Sequence, residues 1–68
     1  METPRAIRKA AGEPQIQVAA QTKTSVATVR LYEANPASVG ERRRSILDAH
    51  YARLRVRVTG EEEGPKAA

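Results

Sequence analysis

The sequence predicts an all-α fold, a compact domain of four helices. Three observations carry that expectation. Helix-start signals recur along the chain, at Thr3-Pro4, Glu13-Pro14, Thr24-Ser25 and Ser38. A polar turn of only three or four residues separates the second helix from the third. Ile46, Leu47, His50, Tyr51 and Leu54 then recur at the 3.6-residue period of a buried helix face.

Each element follows from its residues. Thr3 offers a hydroxyl N-cap and Pro4 suits the first helical position. The first helix runs through Ile7 to Ala11, and Gly12 suits its end because glycine adopts the left-handed conformation cheaply. Glu13-Pro14 is expected to open a second helix in the same way. Gln15 to Gln21 are good helix formers, with Val18 and Ala19 on one side. Thr24 or Ser25 caps the third helix, on which Val29 and Tyr32 share a face. Asn35-Pro36 ends it, since proline disfavours helix at the preceding residue. Ser38 and Glu41 have capping-box spacing, and a longer helix follows. Arg53 to Thr59 alternates charged and apolar residues, which is strand-like. Either the helix stops near Arg53 before a short C-terminal strand, or it extends to Val58. Residues 59–68 lack apolar payload and are expected to be a disordered acidic tail, leaving 1–58 as the domain.

The composition excludes several classes. Among the 68 residues there is no cysteine and one histidine, so disulfides, thiolate metal sites and multi-histidine zinc sites are ruled out. No metal or cofactor is expected. No apolar run approaches the ~18 residues of a membrane span, and the first residues do not resemble a secretory signal. A soluble cytoplasmic protein is expected. The net charge is +4, divided as +6 over residues 1–58 and −2 over 59–68. A basic body suggests a polyanionic partner. His50 lies on the apolar stripe with Tyr51, and both read as packed residues. No acid or nucleophile converges with His50 in the sequence, so no enzyme is expected.

Two helices joined by a short turn form a helix-turn-helix over residues 15–34, which can present its second helix to the DNA major groove. Ala19 supplies the small residue where the helices cross, and Val18, Val29 and Tyr32 anchor them. This stretch resembles the lambda-repressor-like, Cro-type XRE family. The resemblance runs from Ile7-Arg8-Lys9-Ala10-Ala11-Gly12 through Gln15, Val18-Ala19, Ser25 and Val29 to Tyr32-Glu33. It covers about residues 4–35, and implies a bacterial or phage-encoded regulator that is nucleoid-associated when bound. It also implies a pairing of Arg8 with Glu33. The turn departs from the family pattern at Lys23, where glycine is usual, and at Thr24, where an apolar residue is usual. The run from Ser25 to Glu33 also resembles the second helix of MerR-type regulators. Only Ala34 to Val39 separates it from Gly40-Glu41-Arg42-Arg43, too little for the MerR wing, so the XRE resemblance is preferred.

In related repressors the start of the recognition helix meets base edges. That places Ser25, Val26, Ala27 and Thr28 there, with Arg30 and Leu31 one turn later. Arg30 can read guanine bidentately or hold a phosphate. Val26 and Ala27 can only touch a thymine methyl, or else pack against a partner. Gln15 is expected at a phosphate, helped by its helix N-terminus. Lys23 in the turn is expected to contact phosphate, and Thr24 beside it is also expected at the DNA. Arg42, Arg43 and Arg44 place positive charge against the dipole of the fourth helix, which a phosphate backbone would offset. About four phosphates neutralised per subunit would give a log–log salt slope near −3.6.

One such reader spans few base pairs, and a homodimer on half-sites about one DNA turn apart is expected. The pairing segment is expected to be either the helix stripe of Leu47, Tyr51 and Leu54 or an alternating strand carrying Val56 and Val58, meeting its copy across a two-fold. The leading expectation is a sequence-specific double-stranded-DNA regulator, a repressor acting by occlusion. The alternatives are an antitoxin-like or accessory module that holds a protein partner, and an architectural or recombination accessory protein.

Overall fold

The computed structural model describes residues 3–60. They form α1 (Pro4–Ala11), α2 (Gln15–Thr22), α3 (Val26–Ala34), a 3-10 turn (Pro36–Ser38) and α4 (Glu41–Thr59). The all-α, four-helix expectation therefore holds, and the described residues contain no strand. None of these helices is long and apolar enough to cross a membrane.

Local chemistry explains most of the boundaries. The Thr3 hydroxyl accepts from the Ala6 amide at 3.1 Å, and Pro4 opens α1. Gly12 closes α1 at φ 76°, with its amide bonded to the Lys9 carbonyl. Ser25 caps α3 by accepting from the Thr28 amide at 3.1 Å. Asn35 ends α3, and its side-chain oxygen accepts from Ala37 to start the 3-10 turn.

Two start signals act differently from expectation. Glu13-Pro14 does not repeat the Thr3-Pro4 arrangement, because Pro14 is itself the N-cap of α2. Its carbonyl accepts from Gln17 and Val18, while the Glu13 side chain turns into the protein. The Ser38–Glu41 capping box does not form. Ser38 is held in the 3-10 turn by a bond from its amide to the Asn35 carbonyl. Val39 then buries itself in the core, and the helix starts only after Gly40, with no side-chain cap.

The open choice at Arg53–Thr59 resolves to helix. By that point α4 is anchored through Leu47, Tyr51 and Leu54, and extending an existing helix adds one hydrogen bond per residue fixed. A lone strand would have no partner to satisfy its backbone. Arg57 adds a further tie, donating to the Ala11 carbonyl and the Glu13 carboxylate. Thr59, assigned to the tail, is the last residue of α4, and Gly60 ends the helix at φ 76°. The expected disorder of the rest of that tail lies outside the described residues.

The core consists of Val18, Ala19, Val29, Tyr32, Val39, Leu47, Tyr51 and Leu54, with Ile7, Ala11 and Val26 packed at its edge. Helix α4 packs mainly on α1, and α2 packs on α3. This corrects the pairing surface. Leu47, Tyr51 and Leu54 are buried within the single chain, because α1 and the α2–α3 pair both need α4 to cover them. Of the five expected pairing residues, Val56 is half-buried and only Val58 is exposed.

Candidate nucleic-acid interface

The α2–α3 pair is fixed by a buried clasp. The Nε of Arg8 donates to Oε2 of Glu33 at 2.5 Å, and a second guanidinium nitrogen reaches Oε1 at 3.2 Å. Both side chains are below a tenth exposed. The remaining Arg8 capacity goes to the Glu13 carbonyl at 2.9 Å. Glu33 also accepts from Gln15 at 3.2 Å and from the Tyr51 hydroxyl at 2.5 Å. All four helices thus meet at one carboxylate. Burial pushes the Glu33 pKa up, but the hydrogen bonds from Arg8, Tyr51 and Gln15 outweigh it and hold the group below the ordinary value. The bond to Glu33 in turn raises Arg8. Burial, reinforced by the Glu33 bond, raises the Tyr51 hydroxyl far above its usual range, so it remains a neutral donor.

A second buried cluster ties the α1–α2 loop to α4. Nε2 of His50 lies 3.1 Å from Oε1 of Glu13, and Arg57 donates to Oε2 at 3.0 Å. Burial raises the Glu13 pKa, yet the bonds from His50 and Arg57 more than compensate and leave it lowered. His50 is packed, as expected, but an acid does converge with it. Glu13 stands 37 residues away in sequence, beyond the reach of any local pattern. Among the described residues no cluster of three or more potential metal ligands occurs.

Helix α3 turns Val29 and Tyr32 inward, and the Tyr32 hydroxyl bonds Asp48 on α4. Its outward face carries Ala27, Arg30, Leu31 and Ala34, all exposed. Val26, expected at base edges, is half-buried against the core. Thr28 is also half-buried, and its hydroxyl lies 3.0 Å from that of Ser25. Thr24 is tied to Thr22 across the turn at 2.9 Å. Lys23 closes α2 in the left-handed region, at φ 58° and ψ 41°. It is the one non-glycine residue with positive φ among those described.

Arg5 and Arg30, from different helices, line one cleft with Gln15, Glu33 and Ala34. Gln15 spends its side-chain amide on Glu33, so what it can offer a phosphate is chiefly the N-terminus of α2, which has no side-chain cap. Arg5 escaped the sequence reading. Its signal was present, since it sits three residues before Arg8 on the same helix face. Arg42 and Arg43 are exposed at the start of α4, Arg44 is half-buried, and none of the three lines this cleft.

The charge pattern is one-sided. Between Thr3 and Ala34 the two acidic side chains, Glu13 and Glu33, are both buried and paired. Arg5, Lys9, Lys23 and Arg30 are exposed. Every exposed charge on α1–α3 and their connections is therefore positive. No family model matches the chain, and no curated protein or solved structure matches it significantly.

Proposed function

We propose that this chain is a sequence-specific double-stranded-DNA-binding regulator of the lambda-repressor-like class, a repressor that acts as a homodimer on an operator. The observation that carries this reading is the uniformly positive exposed charge of α1–α3 around an outward-facing α3. A duplex is a dense polyanion, and phosphate contacts from such a surface supply affinity and register. Arg5, Arg30 and the N-terminus of α2 converge on one cleft, where a phosphate would meet two guanidinium groups and a helix dipole. Helix α3 then supplies the base contacts. The buried Arg8–Glu33 clasp keeps the angle between the phosphate-holding and base-reading elements fixed. Repression requires only that the bound protein occlude a promoter.

A protein-holding module is the second reading. It is favoured by Ile16, an isoleucine 69 % exposed at the start of α2. Selection of binding sites from random duplex DNA separates the two. Enrichment of a palindromic sequence is expected, with Arg30→Ala losing that binding while its circular dichroism stays unchanged. No enrichment overturns the DNA reading, and an Arg30→Ala variant that binds the selected site like the parent overturns the assignment of α3 as the recognition helix.

A further inference from the structure

We propose that α3 recognises thymine by its 5-methyl group, with Leu31 and Ala27 as the specificity-determining residues; this rests on the DNA-binding reading above. The polar groups of the recognition helix are largely committed elsewhere. The Ser25 oxygen accepts from the Thr28 amide, and the two hydroxyls lie within hydrogen-bond distance of each other. Arg30 lines the cleft with Arg5 and Gln15, the place given to a phosphate in the reading above. Ala27 and Leu31 remain, one helical turn apart on the same outward face. Leu31 is 45 % exposed although it is a leucine.

An exposed apolar side chain gains free energy only against another apolar group. Along the major groove the thymine 5-methyl is the one apolar group that a base edge presents. The surrounding charge decides which macromolecule supplies the apolar partner. Lys23 precedes the face and Arg30 lies on it, and no exposed carboxylate stands on α1–α3. That pattern complements a polyanion whose groove carries methyl groups. The selected half-site should therefore contain thymines beneath α3, at positions where no hydrogen bond from the protein distinguishes the base.

The test uses the full chain and the DNA site enriched by selection. Thymines are replaced one at a time by deoxyuridine, which removes the methyl and leaves base pairing intact. At one or two positions per half-site, affinity is expected to fall about fourfold, the worth of one buried methyl. Leu31→Ala should erase the penalty at one of those positions and leave the others, with unchanged circular dichroism. An enriched site that tolerates complete deoxyuridine substitution overturns this inference and leaves the DNA-binding reading standing. Penalties that survive in both Leu31→Ala and Ala27→Gly overturn the assignment of the residues. Absence of any enriched site overturns both the inference and the reading beneath it.

Discussion

At the scale of single residues, the two buried carboxylates determine how this domain responds to acid. Glu13 and Glu33 are each held below the ordinary carboxylate pKa by hydrogen bonds that outweigh burial. A depressed folded-state value means that the folded protein binds its protons later than the unfolded chain does. The stabilisation is then complete above the unfolded glutamate value of about 4.3 and is lost as pH falls through the folded values. Thermal unfolding followed by circular dichroism should show a midpoint that declines steadily below about pH 4.3. A midpoint that stays constant from pH 5 to pH 3 contradicts the paired state of both groups. At neutral pH, Arg8→Ala should cost about 3–5 kcal/mol, because it strands a buried carboxylate. That is much of the stability a small domain has. The two clusters were unequally legible. Arg8 and Glu33 could be linked because a family resemblance joins distant segments. Glu13, His50 and Arg57 share no motif, and only the folding of α4 across the α1–α2 loop brings them together.

At the scale of elements, the sequence revealed helix starts where a side chain closes the first turn locally. Thr3 and Ser25 each bond an amide three residues ahead, and such contacts depend on little beyond their own turn. Ser38 offered the same local signal and failed, because Val39 is needed in the core and draws the backbone away from capping geometry. The end of α4 was hidden for a related reason. Alternating arginine and valine suits a strand in isolation, whereas tertiary anchors make helix propagation the cheaper outcome. The distinction can be measured on two serines. Ser25→Ala should destabilise the domain by about 1 kcal/mol, the usual worth of an N-cap. Ser38→Ala, exposed and uncommitted as a cap, should stay within about 0.5 kcal/mol of the parent. Equal losses at both positions in chemical denaturation would mean that Ser38 caps α4 after all.

At the scale of the whole molecule, the use of α4 as an internal scaffold changes how two copies can associate. The sequence suggested pairing through the helix stripe or through an alternating strand, but Leu47, Tyr51 and Leu54 are spent on the chain's own core, and residues 53–59 are helical. The large apolar residues left exposed on α4 are Ile46 and Val58. Twelve residues of helix separate them, about 18 Å at 1.5 Å per residue, so they form no continuous patch. Stable association in free solution needs an interface of about 800 Å² per partner with an apolar centre. Among the described residues, the surface of α4 does not present one. On the proposed DNA-binding reading, adjacent half-sites on a duplex would instead hold two copies at high local concentration, where a weak contact suffices. The expectation is a monomer in sedimentation at micromolar concentration, and two chains on one palindromic site. Loading should be cooperative and should weaken when the half-sites are moved by about five base pairs, half a DNA turn. Val58→Lys should reduce that cooperativity while leaving affinity for an isolated half-site unchanged. A single chain per selected site, or cooperativity indifferent to half-site phasing, rules out pairing of copies on DNA and leaves each α3 to read its sequence alone.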